Sequence, residues 1–236
     1  MDFLTLDSKG AALSLVLGAA FFMLGFDLGF YFVLVMILFL VLSAAVTAAG
    51  IRYKKKIGTY QTHRGIKNVI ANGAAPLIMA LIYSISSIYN SNIFAMLSVI
   101  GFTASVAAIT ADKFASELGV FGGIPKMIFT FKKVKKGVSG GITALGLLAS
   151  LAASFIMALL ILFVSYKLHS ISPASLLYAY SARDAVISIA IAGFIGGIVD
   201  SMLGFFEEKG IGSKYSSNFL CSIAGAIAAI LIFIAL

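Results

Sequence analysis

Three acidic residues lie inside or just after long apolar segments of the sequence. Asp112 and Glu117 follow one segment, and Asp200 lies near the end of another. A carboxylate within a membrane helix is costly and usually serves a function. At the carboxyl end of a helix, the helix dipole disfavours the negative charge of a carboxylate by about 0.3–1 kcal/mol more. We therefore expect Asp112, Glu117 and Asp200 to bind a divalent metal ion, although a hydrogen bond to a neighbouring helix would also explain Asp200.

A basic, glycine-rich stretch precedes a later apolar segment and could hold phosphate. Ser139 is a suitable N-cap for the helix that follows, and glycines would let a phosphate approach bare backbone amides. The stretch is not a P-loop, because the sequence contains no GxxxxGK[ST] motif. Inside-positive charge or attraction to lipid phosphates would also explain the lysines. The candidate phosphate-binding residues are Lys132, Lys133, Ser139, Gly140, Gly141 and Thr143.

Two amides open another apolar segment. Asn68 and Asn72 are spaced by four residues, so on a helix they share one face with Arg64. Amides along one stripe of a membrane helix need hydrogen-bond partners. A neighbouring helix would supply these partners, and so would a nucleotide or phosphate.

The composition indicates the kind of element that holds these residues. Hydrophobic residues make up 61% of the 236 residues and charged residues only 11%, whereas a soluble domain has about 25% charged residues. The single cysteine, Cys221, excludes an internal disulfide, a cysteine-based zinc site and an iron–sulfur cluster. The chain is therefore predicted to be an integral membrane protein, and we expect no nucleic-acid partner.

The apolar segments predict an all-α bundle of about seven transmembrane helices, in a single domain covering residues 1–236. A spanning helix needs about 20 apolar residues. The stretch Ala11–Gly50 contains one charge, Asp27, and is long enough for two spans that turn there. The other expected spans are about Asn68–Tyr89, Ile93–Ala111, Gly140–Tyr166, Ala185–Phe206 and Asn218–Leu236.

Lysine and arginine residues predict the orientation of the bundle. With these spans, 15 of the 17 basic residues fall on one side, leaving Lys167 and Arg183 on the other. The positive-inside rule places the larger group in the cytosol. We expect a cell-membrane protein with a cytosolic N-terminus, an external C-terminus and cytosolic motif loops at about 51–67, 112–139 and 207–217.

The sequence also suggests an internal duplication. Asp112 ends Thr110-Ala111-Asp112 and is followed by Gly119, while Asp200 ends Ile198-Val199-Asp200 and is followed by Gly204. A duplicated two-helix unit, related by an axis along the membrane normal, would bring Asp112 and Asp200 together on the cytosolic face.

Four segments together resemble the polytopic phytyl-phosphate kinase family of the vitamin E salvage pathway, which has many uncharacterised transmembrane relatives. The resemblance extends over about Arg52 to Gly210 and departs from the family pattern at Lys113-Phe114, Lys135, Lys136 and Val138. The segments are Arg64-Gly65-x-x-Asn68-Val69-x-Ala71-Asn72-Gly73, Thr110-Ala111-Asp112-x-x-Ala115-Ser116-Glu117-x-Gly119, Lys132-Lys133-Val134-x-x-Gly137-x-x-Gly140-Gly141-x-Thr143-x-x-Gly146 and Asp200-Ser201-x-x-Gly204.

This resemblance implies transfer of the γ-phosphoryl group of CTP to an isoprenoid monophosphate, of the phytyl or geranylgeranyl type, with Mg²⁺. Phosphoryl transfer needs mainly positioning and charge neutralisation. Mg²⁺ usually takes one or two carboxylates, so Glu117 is the least required of the three. The implied catalytic residues are Asp112, Asp200 and Arg64, and the implied nucleotide or phosphate contacts add Asn68, Asn72, Ser116 and Ser201 to the glycine-rich stretch. Membrane lipids are expected partners, and the sequence is compatible with a homo-oligomer.

Two other functions fit the same residues. A CTP-dependent polyprenol kinase or cytidylyltransferase would use the same metal and nucleotide on a lipid alcohol or lipid phosphate, and in an alcohol kinase one acid would act as base. A transporter shares intramembrane acids, glycine-broken helices and repeats. Against transport, the polar residues crowd one face, whereas a conduction path needs them through the whole depth of the membrane.

Overall fold

The computed structural model describes residues 7–58, 65–167 and 182–236, which form eight α-helices. Two 3₁₀ turns lie at Phe26–Leu28 and Gly119–Phe121, and strand β1 (Lys126–Met127) pairs antiparallel with β2 (Gly141–Ile142). The helices are α1 (Ser8–Leu24), α2 (Gly29–Lys56), α3 (Ile66–Ile88), α4 (Asn92–Leu118), α5 (Ala144–Ala158), α6 (Leu160–Lys167), α7 (Ala182–Glu207) and α8 (Lys214–Ala235).

In the described part of the chain, six helical stretches are long and apolar enough to cross a membrane. Five of them are α2, α3, α4, α7 and α8. The sixth consists of α5 and α6, two helices that are separated only by Leu159. Helix α1 is also apolar, but its 17 residues extend only about 25 Å, less than the roughly 30 Å hydrocarbon core. The expected all-α membrane bundle is confirmed, with α1 shorter than a full span.

The expected turn near Asp27 is present between α1 and α2. Gly25 and Gly29 approach so closely that a Cβ on Gly25 would lie 2.6 Å from the Cα of Gly29. The hydroxyl of Tyr83 donates to the Asp27 carboxylate at 2.8 Å. The glycines therefore permit the sharp reversal, and the tyrosine holds it against α3.

Helix α4 forms the centre of the bundle and is buried along most of its length. Small residues allow its neighbours to approach: a Cβ on Gly225 of α8 would lie 2.7 Å from that of Ala108. Gly193 and Gly197 of α7 likewise lie against Ala107 and Ala111. These two glycines therefore let α7 pack closely against α4.

Within the described residues, the ends of six helices, with α4 among them, meet around one cavity at one end of the bundle. Helices α2, α4 and α7 end there, while α3, α5 and α8 begin there, as the expected alternation of spans requires. The carboxylate of Asp7, which caps α1, lies beside Gly65, so α1 also begins at this end. The charged segments that follow or precede these helices therefore share one face of the protein.

One predicted helix boundary is wrong. Thr143, not Ser139, caps α5, and its hydroxyl accepts the Gly146 N–H at 3.1 Å. The cause is the short β-pairing, because β2 holds Gly141 and Ile142 extended and delays the helix start. The segment between Lys167 and Arg183, the two basic residues predicted to face the opposite side, lies largely outside the described residues, at 168–181. Arg64 is also outside them.

Candidate functional site

A cavity of about 300 Å³ lies where the six helix ends meet. Its size is at the lower end of the range for small-molecule sites. Its backbone lining includes the glycine-rich segment 137–141. The charged and amide residues that line it are Lys54, Asn68, Asn72, Asp112, Lys113, Glu117, Lys136, Asp200, Lys214 and Asn218.

Asp112, Asp200 and Lys214 form the acidic cluster of this cavity. The Lys214 Nζ lies 2.5 Å from Oδ2 of Asp200 and 3.5 Å from Oδ2 of Asp112. The aspartate side chains are only 7% and 15% exposed, respectively. Within the described parts of the chain, Oδ1 of Asp200 is buried and has no hydrogen-bond partner. Two carboxylates therefore share one cation, and one of their oxygens is left for another ligand.

The helices that meet here bring the acidic cluster together. Gly197 lies beside Ala111 and the backbone nitrogen of Asp112, so the ends of α4 and α7 run in close contact. Helix α8 begins with a capping box between Ser213 and Ser216, which fixes Lys214 in its first turn. A lysine at the start of one helix thus reaches acids near the ends of two others.

Lys54, Lys113 and Glu117 form a second, basic cluster on the α2 side of α4. Lys54 Nζ lies 2.9 Å from Oε2 of Glu117, and Lys113 donates to Oε1 one helical turn away. Thr47 also donates to Oε1, at 3.3 Å. All three charged side chains are largely buried. Here two ammonium groups share one carboxylate.

The two amides at the start of α3 form a hydrogen-bonded chain with an amide of α8. Asn72 donates from Nδ2 to Oδ1 of Asn68 at 2.8 Å, and Asn218 donates to Oδ1 of Asn72 at 3.0 Å. A neighbouring helix therefore supplies one of these two hydrogen bonds, as one of the two alternatives from the sequence expected. The chain of amides lines the cavity and faces any ligand there.

The glycine-rich segment packs against α7. A Cβ on Gly140 would lie 2.6 Å from the backbone nitrogen of Phe205, and Gly204 and Gly140 meet backbone to backbone. Ser139 donates from its N–H to Glu208 at 2.9 Å and from its hydroxyl to Glu207 at 3.1 Å. Gly140 and Gly204 therefore allow the loop to contact the helix closely. The N–H and the hydroxyl of Ser139 already donate hydrogen bonds to glutamates.

Lys136 connects the beginning of this segment to two other parts of the protein by hydrogen bonds. Its ammonium group donates to the Tyr53 hydroxyl at 3.0 Å and to the carbonyls of Val120 and Gly122 at 2.7 and 3.1 Å. The lysine joins the segment to the end of α2 and to the 3₁₀ turn after α4. It lines the cavity while holding its wall in place.

Most residues expected at a site from the sequence line the cavity, but not all do. Lys132 and Lys133 are exposed and lie outside it. Glu117 lines it in the basic cluster, apart from the shared contact of Asp112 and Asp200 with Lys214. No three His, Cys, Asp or Glu side chains of the described ranges group together as a metal site. The expected residues that do line it are Asn68, Asn72, Asp112, Ser116, Glu117, Ser139, Gly140, Gly141, Thr143, Asp200 and Ser201.

Sequence analysis did not identify five of the charged or amide residues that line the cavity. Four of them are lysines. The positive-inside rule counts every lysine on one side of the membrane equally, so it does not distinguish a lysine in a cavity from one in solvent. The fifth, Asn218, opens the last apolar segment as Asn68 opens an earlier one, and that similarity was the available signal. The five are Lys54, Lys113, Lys136, Lys214 and Asn218.

Comparison with known proteins gives the family. Residues 2–219 match the model described as Integral membrane protein DUF92. The chain belongs to this family. The resemblance inferred from the four motifs is thereby confirmed, as is the multi-pass membrane architecture.

Relatives of this DUF92 protein occur in archaea and plants. An uncharacterised membrane protein of Methanocaldococcus jannaschii is 32% identical over 97% of this chain and 86% of its own length. Protein PGR of Arabidopsis thaliana is 30% identical over 76% of this chain and 65% of its own length. Protein VTE6, chloroplastic, of the same plant is 27% identical over 96% of this chain and 65% of its own. No solved structure matches the chain.

Proposed function

We propose that this protein transfers the γ-phosphoryl group of CTP to an isoprenoid monophosphate, forming the diphosphate with Mg²⁺ at the cytosolic face of the cell membrane. The observation on which this depends is the acidic cluster, in which two carboxylates and one lysine face a cavity enclosed by helix ends. The motif resemblance to phytyl-phosphate kinases and the similarity to Protein VTE6 support the choice of substrate.

The acidic cluster has the donor set that Mg²⁺ requires from a protein. Mg²⁺ takes one or two carboxylates and fills its other positions with water and substrate phosphates. Asp112 and Asp200 supply the carboxylates, and the buried Oδ1 of Asp200 has no other partner within the described ranges. Bound there, Mg²⁺ would neutralise charge on the triphosphate. Glu117 is not needed for this role, because two lysines already engage it.

Other cavity residues would position the phosphates. Lys214 lies against both acids and would pair with a phosphate oxygen that approaches them. Helices α3, α5 and α8 direct their amino ends at the cavity, where the dipole favours anions. Asn68 and Asn72 would contact phosphate or sugar, and Ser116, Ser201 and Thr143 line the same space.

Three further basic residues, which do not line the cavity as described, would also act on the phosphates or the nucleotide. Arg64 lies two positions before α3 and four positions before Asn68 in the sequence, and it would bind phosphate. Lys132 and Lys133 are exposed beyond the cavity, so they would attract the nucleotide by charge rather than contact it.

The acids are assigned to the metal ion rather than to proton abstraction. The phosphate monoester that attacks the γ-phosphorus is already anionic, so it needs no base. An alcohol acceptor would need one. The chemical nature of the acceptor therefore separates the proposed kinase from a polyprenol kinase acting at the same site.

A single assay tests the proposal. Purified protein in lipid nanodiscs receives each nucleoside triphosphate with Mg²⁺ or EDTA, and either geranylgeranyl phosphate or geranylgeraniol. We expect CDP and geranylgeranyl diphosphate from CTP, Mg²⁺ and the phosphate acceptor only. CDP release with the alcohol alone would instead indicate a polyprenol kinase, and pyrophosphate release a cytidylyltransferase.

Nucleotide binding can be measured separately from turnover. A ligand at about 100 times its dissociation constant adds roughly 2.7 kcal/mol to stability. We expect CTP to raise the melting temperature only when Mg²⁺ is present. An unchanged melting temperature, together with substrate flux through proteoliposomes lacking nucleotide, would favour a transporter.

A further inference from the structure

The connection between α4 and α5 carries an exposed apolar turn directly after β1. Residues 128–131, here called the tip, have the sequence Ile-Phe-Thr-Phe. The N–H of Met127 donates to the carbonyl of Lys132, and the N–H of Phe131 donates to the carbonyl of Met127, both at 2.9 Å. Phe129 and Phe131 are 43% and 67% exposed. These hydrogen bonds close the turn, and two phenyl rings remain largely uncovered by the protein.

Four lysines surround the base of the tip. Lys126 and Lys133 face each other in a β-bridge, and Lys132 and Lys135 are their neighbours in the sequence. All four are exposed, and none has an ion-pair partner among the described residues. Segment 122–141, which contains the tip, has five lysines and no acidic residue. These four residues therefore form a positively charged surface, here called the lysine collar.

Contacts with α7 place the tip beside the membrane-spanning surface of the bundle. Phe129 packs edge-to-face on Phe205 and Phe206, with ring centroids 5.0 and 6.0 Å apart. Phe206 is the last exposed apolar residue of α7, in line with Met202 and Ile191. These positions are four and eleven residues apart, which corresponds to whole helical turns, so they share one face. An exposed apolar face of a spanning helix contacts lipid, and the tip continues that face.

An apolar tip with a basic collar matches the surface of an anionic membrane. Aromatic side chains of interfacial segments enter the boundary between headgroups and acyl chains, while lysines remain among the headgroups. The cytosolic leaflet, on which the positive-inside rule places this face, carries negative charge that attracts lysines. A free nucleotide would match the collar, but it has no acyl chains to cover the phenyl rings. The two features together therefore favour a phospholipid.

We propose that the tip enters the cytosolic leaflet beside α7 and that the lysine collar binds the headgroups of anionic phospholipids. Neither the tip nor the collar lines the cavity, so the proposal does not depend on the reaction proposed above. Lys136 and segment 137–141 follow the collar directly and do line the cavity. Lipid bound at the collar would therefore restrain the loop that forms one wall of the cavity.

The tip can be probed by fluorescence because the sequence contains no tryptophan. Phe131→Trp exchanges one exposed aromatic side chain for another and gives the full chain a single tryptophan. The variant is reconstituted in vesicles of phosphatidylcholine and phosphatidylglycerol, in which one lipid or the other carries brominated acyl chains at equal mole fraction. We expect both brominated lipids to quench the tryptophan. Brominated phosphatidylglycerol should quench it at least about twofold more strongly, because the collar enriches anionic lipid around the tip.

Matched variants separate the collar from the rest of the lipid surface. Ile227→Trp places the probe at an exposed position of α8, about 20 Å from the start of that helix, where both brominated lipids should quench equally. In the Phe131→Trp protein, joint Lys132→Gln and Lys133→Gln substitution should remove most of the preference for phosphatidylglycerol. Lys9→Gln, at an exposed lysine of α1, should keep it. Salt of about 1 M should also reduce the preference, because the Debye length falls to about 3 Å.

Three results would overturn the proposal. Quenching of the Phe131→Trp variant by acrylamide in water but not by brominated chains would show that the tip lies in water. Equal quenching by the two brominated lipids would show that the collar does not select anionic headgroups. Protection from both acrylamide and brominated chains would indicate that another protein surface covers the tip. None of these measurements requires phosphoryl transfer, so they leave the proposed function to its own assay.

Discussion

On one side of α4 two carboxylates share one ammonium group, and on the other side two ammonium groups share one carboxylate. The acidic cluster joins α4 to α7 and α8, and the basic cluster joins α4 to α2. Both clusters border one cavity. The proposed metal ion belongs to the first arrangement, because its two carboxylates are ligands that Mg²⁺ accepts.

The comparison shows how one central helix can contribute to two clusters of opposite composition, one rich in carboxylates and one rich in lysines. Asp112 and Lys113 are adjacent in sequence, and successive side chains on an α-helix diverge by about 100°. The same turn of α4 therefore presents an acid to one set of helices and a base to another. Glu117, one turn further along, belongs to the basic side, although its residue type resembles that of the acidic side.

The largest expected effect comes from removing one carboxylate of the acidic cluster. Asp200→Asn or Asp112→Asn should lower the rate of phosphoryl transfer at least about a hundredfold, because charge stabilisation of this kind commonly accounts for such factors. The remaining acid still pairs with Lys214, so both variants should purify normally. Asp184→Asn, at the opposite end of α7, is the control. Full activity in both cavity variants would remove the metal assignment.

A glycine substitution tests whether the acidic side depends on the loop that packs against α7. Gly140 has φ +74°, and its added Cβ would lie 2.6 Å from a backbone nitrogen. Gly140→Ala should lower the free energy of unfolding by about 1–3 kcal/mol. Gly123→Ala, in the same connection between α4 and α5, has no atom within 4 Å of its Cβ and should be neutral. Melting curves of the two variants measure the difference.

Loss of the shared lysine should make stability depend on Mg²⁺. Lys214→Met leaves Asp112 and Asp200 facing each other without their cation. We expect the melting temperature to fall by several degrees without Mg²⁺ and to recover more than the parent when Mg²⁺ is added. Lys209→Met, an exposed neighbour, provides the comparison. An identical Mg²⁺ response in parent and variant would argue against metal binding at the two acids.

The smallest effect is expected for a lysine outside both clusters. Lys132 is exposed and does not line the cavity. Exposed charges contribute little to a specific contact, so Lys132→Ala should change CTP affinity less than about twofold at physiological salt. A loss of tenfold or more in calorimetry would place Lys132 in direct contact with the nucleotide.

The contacts of individual site residues were harder to predict than the fold. The acids stood out because charge is rare inside apolar segments, and the turn at Asp27 stood out for the same reason. Lys54 and Lys214 did not, because lysines are common wherever a chain leaves the membrane on its basic side. The glycines of segment 137–141 predicted a close approach, but the approaching group proved to be the backbone of α7 at Gly204.

The sequence by itself determined the membrane architecture, the gathering of charged ends on one face and the membership of a family. These follow from hydropathy, from the alternation of spans and from motif order. All three can be read along the sequence without knowing which helices contact one another. The tertiary structure decided that Asp112 and Asp200 share Lys214, that Glu117 pairs with lysines instead and that Asn218 completes the amide chain. Those contacts depend on how helices rotate about their axes and how closely small residues let them approach, and no local sequence pattern fixes either quantity.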